Sequence, residues 1–152
     1  MLFLPRYAAC CLAIGLALFG TDAGAMFIVN QPWVLPAAKG QSTEAYMDLT
    51  SSEETKLVAA RSNSAREVRI GGRGQPAQSL PGLALPAGKM IRLAPRSYRL
   101  VLDTLTRSIK RGERVQLTLV IEAADGTRQE IPVDAEARLD SPLDAELRAH
   151  KH

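Results

Sequence analysis

Residues Arg114 to Glu122 read RVQLTLVIE, and their alternation decides the fold. Val115, Leu117, Leu119 and Ile121 fall on one side at every second position, with Arg114, Gln116 and Thr118 on the other. That pattern belongs to a strand with one buried face. Such a strand needs an antiparallel partner. Asp125-Gly126 supplies the turn, because both residues tolerate positive φ, and Thr127 to Val133 (TRQEIPV) reads as the returning strand. Pro132 cannot donate to a ladder, so this return is expected at an edge or at the end of the pairing.

Upstream, six further runs have strand length and are mostly separated by turn residues: Phe27 to Val29, Thr43 to Thr50, Lys56 to Ala60, Arg66 to Ile70, Lys89 to Leu93 and Tyr98 to Leu102. Helix signals are almost absent from this region. The expected fold is an all-β sandwich or barrel. In TEAYMDLT (Thr43 to Thr50), Ala45, Met47 and Leu49 alternate with Glu44, Tyr46 and Asp48, which places Met47 in the core rather than on a metal. Met90, in KMIRL, is expected in the core as well. The glycine-rich stretch Gly71 to Pro76 (GGRGQP) reads as a flexible hairpin or connecting loop. A phosphate cradle opens onto a helix N-terminus, and the residues after this stretch are broken by Pro81 and Pro86.

The first 25 residues carry the parts of a secretory signal peptide in order. Arg6 gives the positive n-region, Ala8 to Phe19 an apolar run too short for a bilayer span of roughly 20 residues, and Ala23-Gly24-Ala25 a small-residue cleavage site. Three parts of the chain follow: a signal peptide over 1–25, one β domain over 26–135 and a polar tail over 136–152. In the tail, Ser141-Pro142 can cap and start a short helix bearing Leu143 and Leu147 one turn apart. The expected location is the periplasm. No membrane attachment is expected after cleavage.

Composition excludes most chemistries. The two cysteines, Cys10 and Cys11, lie inside the leader, so the domain has no thiol or disulfide. Both histidines, His150 and His152, stand at the C-terminal end, where a triad cannot hold them. No enzyme activity is expected. A net charge of +3, with bases interleaved among acids, speaks against nucleic acid as partner. His150 and His152 could offer two imidazoles to a borderline metal such as Cu(II).

Taken together, residues 27 to 133 resemble the periplasmic copper chaperones of the PCu(A)C family. Gln31-Pro32-Trp33-Val34 is similar to the family's opening Trp strand, and Glu44 to Leu49 to its A-x-Y-M strand. Lys56-Leu57-Val58, with Ser62 to Ile70 after it, resembles the approach to the first metal ligand. Leu85 to Gly88, Leu93-Ala94-Pro95 and Tyr98 resemble the approach to the last two, and Ile109 to Leu119 the G-D-x-V-x-L-T-L element. The resemblance implies a cupredoxin-like Greek-key β-barrel or sandwich and a Cu(I) site of two His and two Met. At the aligned positions this chain has Arg69, Leu80, Arg99 and Val101. None of these side chains can donate a lone pair to copper. The expectation is therefore a non-enzymatic periplasmic binding or interaction protein with no cofactor, in which Arg69 and Arg99 either form an electropositive patch for an anion or a partner protein or are merely exposed or paired with Glu67 or Asp103. The alternative keeps copper trafficking, through His150 and His152 or beside a partner chaperone in oxidase assembly.

Overall fold

The computed structural model describes residues 26–151. The proposed signal peptide and His152 lie outside them. Ten strands and one helix follow in order: β1 Phe27–Val34, β2 Thr43–Ser51, β3 Thr55–Ser62, β4 Ala65–Gly71, β5 Ser79–Leu80, β6 Leu83–Leu85, β7 Ile91–Leu93, β8 Arg99–Leu105, β9 Arg114–Ala123, β10 Arg128–Ala137 and α1 Pro142–Ala149.

The alternation in β9 becomes burial. Val115, Leu117, Leu119 and Ile121 are all nearly inaccessible, while Arg114 and Gln116 are exposed. Gly126 turns the chain with φ of 86°, and β10 returns antiparallel in unbroken register from Arg128 opposite Glu122 to Glu136 opposite Arg114. β10 ends at Ala137, four residues beyond Val133, where the returning strand is expected to end. Pro132 does lie on an edge. β10 meets β1 only at Glu136 and Ala137, so its other side is unpaired by β1 around the proline.

Strand pairing runs β4-β8-β2-β1-β10-β9-β3, and β3 meets β4 again at Ala60 and Val68. That contact closes a seven-stranded barrel. β5 and β6 extend the sheet beyond β4 and β3, and β7 pairs with β2 beside the stretch of β2 that pairs with β8. The alternating runs require an all-β fold, and of the sandwich and the barrel they leave open the chain forms the barrel. Inward residues from every long strand make one core, including Val34, Leu49, Leu57, Leu100, Leu102 and Leu119. Met47 joins them at 2 % exposure.

Three local expectations change. Met90 is exposed and precedes β7, because Ile91 and Leu93 turn toward the core and leave Met90 on the outward side with Arg92. Tyr46 is on the outward side of β2 yet buried, since the Trp33 ring covers it at a centroid distance of 4.6 Å. The proline-broken segment after the glycine loop supplies the short strands β5 and β6 rather than loop alone. The tail forms its helix: Ser141 caps α1 by accepting a hydrogen bond from the Asp144 amide, with Pro142 in the first turn.

Candidate functional site

The outward face of β2, β8 and β4 gathers three of the four aligned positions. Val101 sits opposite Arg69 of β4 on one side and Glu44 of β2 on the other, and Arg99 lies two residues along β8 from Val101. Residues two apart on a strand share a face. Arg69, Arg99 and Val101 are therefore neighbours. Leu80 is not among them. It pairs with Ile70, whose side chain is in the core, and Leu80 packs against that core from β5.

Each arginine is already engaged. Arg99 is fully buried; its Nε donates to Glu44 Oε1 at 2.9 Å, and its terminal nitrogens donate to the Ser97 carbonyl at 3.0 Å and the Gly74 carbonyl at 2.6 Å. Arg69 donates from Nε to Asp103 Oδ2 at 2.9 Å and from Nη1 to the Ala77 carbonyl at 3.0 Å and the Ser79 hydroxyl at 3.3 Å. Two cations face two carboxylates. Glu44 and Asp103 offset the charges that Arg99 and Arg69 bring to this face.

The segment between β4 and β5 folds over this face and lends it the Gly74 and Ala77 carbonyls. Gly71 makes the approach possible: a Cβ there would stand 3.0 Å from Ala77 Cβ and 3.2 Å from Val101 Cγ2, closer than carbon atoms pack. Arg73, on the same segment, lays its guanidinium 5.0 Å from the centre of the Tyr98 ring. A shallow cavity of about 300 Å³ remains between Ser42, Arg69, Pro76, Val101 and Asp103.

The lattice continues to the aromatic pair. Tyr46 donates its hydroxyl to Glu44 Oε2, so one carboxylate is shared by Arg99 and Tyr46. Burial, followed by that carboxylate's hydrogen bond and charge, pushes the Tyr46 phenol well above its usual 10.0, against the opposing influence of Arg99. Sequence reasoning offered Glu67 or Asp103 as partners for the two arginines but missed Glu44 for Arg99. The available signal was Glu44 on the outward side of β2; the pairing of β2 with β8 that brings it to Arg99 is not written in either strand.

The chemistry of these donors does not suit a soft cation. A guanidinium offers donors only, and valine and leucine have nothing to coordinate with. Among the described residues, no three His, Cys, Asp or Glu side chains cluster as a metal site. His150 caps the C-terminus of α1 and is exposed.

The LpqE-like lipoprotein family matches residues 28–133. A search of curated proteins finds no match. Among solved structures, the apo PCuAC domain from PmoF1 superposes with a TM-score of 0.64 at 24% identity, over 75% of this chain and 94% of that one. The copper-bound PCuAC domain from PmoF2 gives 0.62 at 20% identity, over 75% and 93%. The Cu(I) form of DR1885 from Deinococcus radiodurans gives 0.56 at 25% identity, over 79% and 85%. With its fold shared by these PCuAC domains and its sequence matched over residues 28–133, this chain belongs to the LpqE-like family.

Proposed function

We propose that this chain is an exported, non-enzymatic binding module that uses the PCuAC-type barrel without carrying Cu(I) on its β4–β8 face. One observation carries the reading. The aligned positions hold Arg69, Arg99 and Val101, and both guanidinium groups are spent on Glu44, Asp103 and backbone carbonyls. A Cu(I) ion arriving there would meet two guanidinium groups, no imidazole or thioether, and two carboxylates already held in ion pairs. The LpqE-like family match supports export, and the apolar leader with Ala23-Gly24-Ala25 supports delivery to the periplasm as a cleaved protein beginning at Met26. Partners are then proteins or small ligands met outside the cytoplasm.

The copper-bound state of the PmoF2 domain and the Cu(I) form of DR1885 favour a second reading, in which copper is still handled but elsewhere. In this chain that role would fall to the imidazoles of His150 and His152. A Cu(I) competition titration of residues 26–152, beside a chain ending at Arg148, separates the readings. The first predicts no tight one-to-one binding in either protein. Tight binding lost on truncation moves copper to the tail, and tight binding that survives truncation overturns the proposal.

A further inference from the structure

Away from the arginine lattice, a groove of about 370 Å³ runs between the barrel and the segment leading into α1. Its floor is apolar: Trp33 of β1, Met47 of β2 and Leu93 of β7. Leu139 and Leu143 form the opposite wall. That wall is unusual for a helix packed on a protein. α1 buries none of its residues, and Leu139, Leu143 and Leu147 stay 65%, 38% and 58% exposed. A helix normally forms in a small domain because its apolar stripe is covered. Here the stripe borders an open groove.

Charge says what kind of molecule would fill it. Asp48 is held by Arg92 through two hydrogen bonds of 2.9 and 3.3 Å, and Asp140 is paired with Arg148. Asp144 also lines the groove and makes no ion pair among the described residues. This carboxylate is exposed in the first turn of α1, beside the apolar floor, with no cationic side chain paired to it among the described residues. An anion would be repelled there, and a cation would gain a charge contact that a neutral molecule lacks.

We propose that this groove binds a small amphiphilic amine, with its hydrocarbon part against Trp33, Met47, Leu93 and Leu143 and its ammonium group at Asp144. The ligand completes the layer that the barrel leaves open beneath α1. This inference is independent of the copper question, since no residue of the β4–β8 lattice takes part.

Trp33 is the only tryptophan of the chain, so intrinsic fluorescence reports the groove directly. Octylamine, octanol and octanoate are titrated into the purified protein. Octylamine is expected to give a saturable change and to bind at least about fivefold tighter than octanoate, the ratio for an exposed charge contact. Asp144→Asn should erase that preference and leave octanol unchanged, while Leu143→Ser should weaken all three ligands together. Circular dichroism confirms that each variant keeps its strands. The proposal is overturned if no ligand gives a saturable change, if octanoate binds as well as octylamine, or if Asp144→Asn keeps the preference.

Discussion

Arg99 is the most consequential single residue of the barrel face. Its guanidinium is fully buried, and Glu44 is its only ionic partner among the described residues. Removing one partner of a buried pair leaves an unmatched charge, which costs more than the pair contributes. Glu44→Ala should therefore lower unfolding free energy by about 3 kcal/mol in urea titrations. Arg69→Ala, which breaks a partly exposed pair, should cost about 1 kcal/mol or less. Equal losses would mean that Arg99 is not held as described. Tyr46 adds a pH dependence with a definite sign. Its phenol is raised in the folded protein above the ordinary 10.0, so its contribution is whole below pH 10 and is lost as pH climbs toward the folded value. Tyr46→Phe should flatten the loss of stability above that pH, measured as urea midpoints across the alkaline range. Arg69, Arg99 and Val101 could be read from the sequence as a set, but their partners could not. Two of the lattice's acceptors are main-chain carbonyls of the segment after Gly71, and no side-chain identity announces a carbonyl's direction.

At the scale of elements, β9 and β10 were legible because burial repeats at every second residue and Asp125-Gly126 has few conformations open to it. Gly126 needs its positive φ of 86°, and nothing crowds the position a Cβ would take. Gly126→Ala should then cost about 1 kcal/mol through backbone strain alone, seen as a lower urea midpoint with an unchanged fold. A neutral result would show that the turn relaxes to another type. β5 and β6 were hidden for the opposite reason. Each is two or three residues long, too short for a period to show, and each exists because β4 or β3 offers it an edge. Met90 was misplaced because apolar character outweighed its phase; Ile91 and Leu93 set the inward side of β7. α1 was readable from Ser141-Pro142, yet the groove beside it was not. That groove depends on how far β1, β2 and β7 stand from the tail.

For the whole molecule, closure of the barrel rests on two narrow contacts: β1 with β10 over two residue pairs, and β3 with β4 at Ala60 and Val68. The first joins strands from opposite ends of the domain, and the second joins consecutive strands only two residues apart. Local pattern alone leaves a sandwich and a barrel equally open, and the family resemblance named the cupredoxin-like fold without choosing between them. Among the described residues no helix is long and apolar enough to cross a membrane. The barrel shared with the PCuAC domains does not decide what this chain carries, since function resides in the site grafted on a fold. The central claim is that the β4–β8 face is closed to copper by its own ion pairs. The measurement that tests it most directly is a nitrogen–proton correlation spectrum recorded while Cu(I) is added to one equivalent. The backbone amides of Arg69, Arg99 and Val101 should stay in place and keep their intensity. Stoichiometric shifts or broadening centred on those three residues would contradict the account and return this chain to the copper carriers.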